Sequence, residues 1–116
     1  MDFKTLSQWA EEELKAVTRV LPEDVQQAAA KVPVTMEERP DETLEGDELG
    51  LFEGAPAMEE ADPGDLPRIR LFLLNLWEWV EKDEEDFRDE VGITFLHELG
   101  HYLGWDEEDV SRRGLE

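Results

Sequence analysis

Residues 83 to 103 read D-E-E-D-F-R-D-E-V-G-I-T-F-L-H-E-L-G-H-Y-L, and this stretch constrains the fold more than any other. Phe87, Val91, Phe95 and Leu99 recur every four residues, which is the spacing of an α-helix. At about 100° per residue, these four together with Tyr102, Leu103 and Leu96 fill an arc of about 180°. His97 and His101 fall on the opposite side, with Glu98 at the border of the two faces. Such a helix has to bury one face against other elements while both imidazoles point together towards a cleft. Gly104 is expected to end it.

The rest of the chain supplies the elements for that burial. Phe3, Leu6, Ala10, Leu14, Val17 and Leu21 are spaced as a second amphipathic helix. Pro22 followed by Glu23 and Asp24 opens a short helix to about Lys31. Strands are expected at residues 32–36, 49–53 and 68–73, with acidic or Pro- and Gly-rich loops at 37–48 and 54–67. Asn75 is expected to cap a turn of helix over 77–82, and Asp106 a last turn near the C-terminus. Trp77 and Trp79, two residues apart, cannot share a helix face, so at least one is exposed; cover for the core is the favoured role. These elements make an α+β chain in which residues 1–116 form a single domain, as its length allows.

Composition narrows the function. With 32 acidic against 11 basic residues the formal net charge is −21, which repels nucleic-acid phosphates and anionic membrane surfaces. The expected partners are therefore a peptide or protein substrate, with a bias to basic ones, and neither nucleic acid nor membrane. Cysteine is absent, so any metal must be held by nitrogen and oxygen ligands. No signal peptide or spanning segment is legible, and a cytoplasmic location is the expectation.

Both histidines of the chain sit in H-E-L-G-H, residues 97–101. Side chains one helical turn apart stack on one face, so His97 and His101 can reach one ion, and neutral imidazole suits zinc. Glu98 is angularly adjacent and can reach a water on that ion, which is the chemical content of H-E-x-x-H. A third ligand has little room on a separate downstream helix, because only fifteen residues follow His101. Glu107, six residues past His101, stands at the third-ligand spacing of H-E-x-x-H-x-x-G-x-x-H proteins, with Asp106 as its competitor. Zinc is the expected ion, although nitrogen and oxygen donors alone admit other divalent metals.

The chain resembles the minimal zincin-like metallopeptidases, small bacterial proteins with H-E-x-x-H-x-x-G-x-x-D. The likeness extends to G-L-F-E-G-A-P at residues 50–56, to P-R-I-R-L-F at 67–72 and to E-V-G-I-T-F-L at 90–96, and it covers about residues 49 to 110. The resemblance implies a compact α+β fold with a small mixed sheet of three strands, or four, packed on helices. It also implies His97 and His101 as ligands, Glu98 as catalytic base, and residues 67–72 as an edge strand. From the residues themselves, the strand at 68–73 either offers main-chain groups to an extended substrate or is an ordinary internal strand. Glu107 stands where the family has Asp, and no Met-turn follows. The rival classes are a non-catalytic metal-binding protein and an acidic protein-interaction module.

Overall fold

The computed structural model describes residues 1–42, 44, 46–57 and 66–104. In chain order these form α1 (Phe3–Arg19), α2 (Glu23–Ala29), β1 (Val34–Glu37), β2 (Gly50–Glu53), β3 (Arg68–Phe72), α3 (Leu73–Trp79) and α4 (Glu84–Tyr102). Four helices and a mixed three-stranded sheet among the described residues make an α+β arrangement, as expected from the sequence. No described helix is long and apolar enough to cross a membrane.

The two long helices start where local chemistry says they should. Asp2 accepts the Thr5 amide at 2.8 Å and caps α1. Asp83 accepts the Asp86 amide at 2.9 Å and caps α4, whose first turn carries Glu84, Glu85 and Asp86 at the positive end of the helix dipole. At the far end, Leu103 is the C-cap and Gly104 follows with φ +81°, a left-handed conformation that glycine adopts without steric cost.

Helix α3 departs from the expectation. It begins at Leu73, directly after β3, rather than near Trp77, because a short apolar run such as Leu71-Phe72-Leu73-Leu74 fits strand and helix equally well. Asn75 is no cap: it lies buried inside the helix. Its Nδ2 donates to the carbonyls of Gly46 and Glu48, both at 2.8 Å, and its Oδ1 accepts from Arg39 at 2.9 Å. One amide thus ties the returning end of the 38–49 connection to the helix layer. Trp77 is buried while Trp79 is 67% exposed, so only the first covers core.

The strand order is β1-β3-β2, with β1 parallel and β2 antiparallel to β3. β3 is therefore the central strand. This corrects the edge strand that the resemblance implies for residues 67–72 and selects the internal-strand alternative: both flanks of β3 are taken, by Val34↔Ile69 through Glu37↔Phe72 on one side and Gly50↔Leu71 through Glu53↔Arg68 on the other. On one face of β3, Ile69 and Leu71 join the core with Leu6 and Ala10 of α1, Leu76 of α3, and Phe87, Val91, Phe95 and Leu99 of α4. Each such aliphatic or aromatic side chain stabilises the fold by about 1.5–3 kcal/mol through its removal from water.

The opposite face of β3 presents Arg70, which is 5% exposed. Its guanidinium reaches Glu37 with two bonds of 2.7 Å, Glu53 at 2.7 Å and Asp41 at 3.1 Å. The charge-assisted bonds from Arg70 hold the Glu37 carboxyl below the usual glutamate range, against the opposing effect of burial. This one cation links β1, β2 and the start of the 38–49 connection across the central strand.

Candidate metal centre

Helix α4 carries the two imidazoles on one flank near its C-terminal end, and both rings are half-buried. Their Nε2 atoms stand 3.1 Å apart, with ring centroids at 4.7 Å and planes at 86°. A tetrahedral ion with nitrogen ligands at about 2.05 Å sets those nitrogens about 3.3 Å apart. The separation found here is close to that, so the two nitrogens are spaced as a shared cation requires. A carboxylate oxygen of Glu98 completes a group whose ligand atoms all lie within 4.8 Å of one another, and the group could hold a metal ion.

Glu98 is placed by more than its helix. Its Oε1 accepts the main-chain N–H of Phe52 in β2 at 3.0 Å. Burial raises its carboxyl pKa above the ordinary glutamate value, outweighing the attraction of His101 and His97 and the Phe52 amide, while nearby Glu48 pushes the same way as burial. The result is a carboxylate more basic than one in open water, beside two metal-type ligands. That is the setting in which a general base is found.

A groove of about 460 Å³ opens between residues 47–50 and α4. His97 and Glu98 lie in its wall, with Asp47, Glu48 and Glu90 beside them and Ile93 giving an apolar patch that is 42% exposed. Burial also raises the Glu90 carboxyl pKa. The cleft that the helical spacing calls for is thus present, and it is bounded by the very segment that Asn75 holds in place.

The structure brings together His97, Glu98 and His101. Glu107 and Asp106, the two choices for a third protein ligand, lie outside the described residues. Tyr102, expected to pack in the core, is 5% exposed and meets the Phe52 ring edge-on at 5.7 Å. Sequence reasoning missed the Phe52 amide, for a main-chain donor leaves no mark in a one-letter code. It also missed Arg70, whose acidic partners come from segments 17 to 33 residues away.

A buried helix presenting H-E-x-x-H to a groove beside a small mixed sheet defines the zincin class of architecture. The chain belongs to the zincin-like metallopeptidase family, whose model matches residues 29–115. The match takes in the whole sheet, α3 and α4 and leaves out α1, which packs across α4 from the N-terminal side. No curated protein sequence matches the chain.

Proposed function

We propose that the chain is a zinc-dependent peptidase. The observation that carries this reading is the approach of the His97 and His101 Nε2 atoms to 3.1 Å beside a half-buried Glu98 held by the Phe52 amide. His97 and His101 would hold the ion, with Glu107 as third ligand. When bound, zinc supplies Lewis acidity that polarises a peptide carbonyl and lowers the pKa of a water to about 7. Glu98 would take a proton from the attacking water and deliver it to the departing amine as the C–N bond breaks. With Oε1 occupied by the Phe52 amide, the second carboxylate oxygen is the one left for proton transfer.

An extended peptide is held along β2. In an antiparallel pair the inward and outward main-chain groups alternate. The Phe72 amide bonds the Leu49 carbonyl and the Phe52 amide turns away to Glu98, so the main-chain groups of Gly50 and Phe52 face the edge beside α4, which no described strand pairs with. That edge, rather than the central β3, offers strand addition next to the imidazoles. Asp47, Glu48 and Glu90 in the groove, with a net charge of −21 around them, favour Lys- and Arg-containing peptides over acidic ones.

The test is digestion of a mixed peptide library by the zinc-loaded chain, its chelated form and Glu98→Gln. Cleavage by the first alone, enriched next to basic residues, is the expected result. Zinc uptake with no cleavage by any form sinks the peptidase reading in favour of a metal-binding protein.

A further inference from the structure

Strand β2 and helix α4 meet along a single stripe. Thr94, Glu98 and Tyr102, four residues apart on the helix, each face β2. A Cβ added to Gly50 would stand 2.5 Å from Thr94 Cγ2. The Phe52 amide donates to Glu98 at 3.0 Å, the Phe52 ring meets Tyr102 at 5.7 Å, and the Ala57 amide donates to the Tyr102 carbonyl at 2.7 Å. Two residues of a strand advance about 6.7 Å and four residues of a helix about 6.0 Å. Contact between Gly50 and Thr94 therefore brings the amide two residues on, that of Phe52, level with the carboxylate four residues on, that of Glu98.

We propose that Gly50 is a positioning residue: its missing side chain lets β2 close on α4 to the separation at which the Phe52 amide grips the Glu98 carboxylate. This rests on reading Glu98 as the base. The assignment follows from what a side chain would do there. A carbon 2.5 Å from a methyl is not tolerated, so something has to move. Thr94 is buried, so its methyl, which stands against β2, has packed neighbours rather than solvent to move into. The other neighbours, the Arg70 carbonyl and Leu71 Cδ2, are both at 3.3 Å and would need to give by only a few tenths of an ångström, far less than the Thr94 methyl. An alanine is thus accommodated by β2 lifting off α4, and a shift of roughly 1 Å takes a 3.0 Å bond beyond hydrogen-bonding range. Glu98 then loses the partner that fixes one of its oxygens and samples other rotamers. Gly50 never touches substrate, and it acts through Phe52.

The experiment uses the full chain as wild type, Gly50→Ala, Thr94→Ser, the double variant and Glu98→Gln, with the Phe52 amide followed by ¹⁵N–¹H NMR and peptide turnover measured alongside. Glu98→Gln is expected to move the Phe52 amide proton upfield, because a carboxylate acceptor is replaced by a neutral one. Gly50→Ala should reproduce that shift and lower kcat by roughly tenfold to a hundredfold, with KM nearly unchanged. Thr94→Ser removes only the offending methyl, so adding it to Gly50→Ala should return the amide signal and most of kcat. A Phe52 amide indifferent to Glu98→Gln or to Gly50→Ala overturns the proposal, and so does a double variant that is not rescued. Failure of the double variant to fold, when Thr94→Ser alone folds, overturns it too, since the Thr94 methyl is then not why glycine is needed. The amide signal needs no catalysis, so a chain that cleaves nothing condemns the peptidase reading while the spacing is still decided.

Discussion

Among the described residues, the side chains around Arg70 and those around Glu98 are two partly buried polar groups built on opposite plans. Around Arg70 a single guanidinium is shared among Glu37, Glu53 and Asp41 at 2.7 to 3.1 Å, so each carboxylate already has a cationic partner within the chain. Around His97, Glu98 and His101 the chain gathers electron-pair donors. Among the described residues the carboxylate receives one main-chain hydrogen bond and is attracted by the two imidazoles of the group itself. The first group is closed and holds β1, β2 and β3 in register. The second has the donor set to accept a cation from outside, and that is the physical difference between a structural ion-pair network and a candidate metal centre.

The largest effects are expected where the second group is broken. Replacing His97 or His101 by alanine should weaken zinc binding by roughly 10²-fold or more and abolish peptide cleavage, as calorimetry and turnover would record. Glu98→Gln should separate the two properties, keeping zinc while turnover falls by about 10³-fold. Equal loss of metal and turnover in that variant would make Glu98 a ligand rather than a base.

Breaking the first group should change stability and leave the metal alone. Arg70→Met strands up to three carboxylates around a site that held one cation, and a cost of about 2–4 kcal/mol in urea unfolding is expected. The lower end allows for partners that are 30–53% exposed. The same group sets an acid limb. The folded-state pKa of Glu37 is depressed, so its contribution is present above the usual glutamate value of 4.5 and is lost as the pH falls through the lower folded value. Stability measured from pH 6 downwards should decline more steeply in wild type than in Arg70→Met. Parallel curves would mean that the ion pairs contribute little net free energy. At the small end, Trp79→Ala removes an exposed ring and should stay within about 0.5 kcal/mol of wild type.

The two groups also differ in how legible they are in the amino-acid sequence. H-E-L-G-H is local: one helix supplies all three side chains, and the 3.6-residue repeat that buries Phe87, Val91, Phe95 and Leu99 decides which flank the imidazoles share. The Arg70 group is assembled from three segments, and nothing near Arg70 in the chain announces Glu37 or Asp41. Strand order is opaque for the same reason. R-I-R-L-F alternates as an edge strand does, yet Arg70 is covered by carboxylates from the neighbouring strand ends and β3 lies in the middle of the sheet. Asn75 shows the limit of propensity, for an asparagine near a helix start suggests a cap, whereas here two distant carbonyls claim its amide. The Gly50–Thr94 approach that sets β2 on α4 is a property of two backbones folded together, and neither segment alone encodes it.

The most direct test of the central claim is zinc titration of the metal-stripped full chain beside the His97→Ala/His101→Ala variant. One tightly held ion per chain is expected, absent from the double variant. An ion that never binds, or uptake that survives the loss of both imidazoles as a bare acidic surface would give, contradicts the claim.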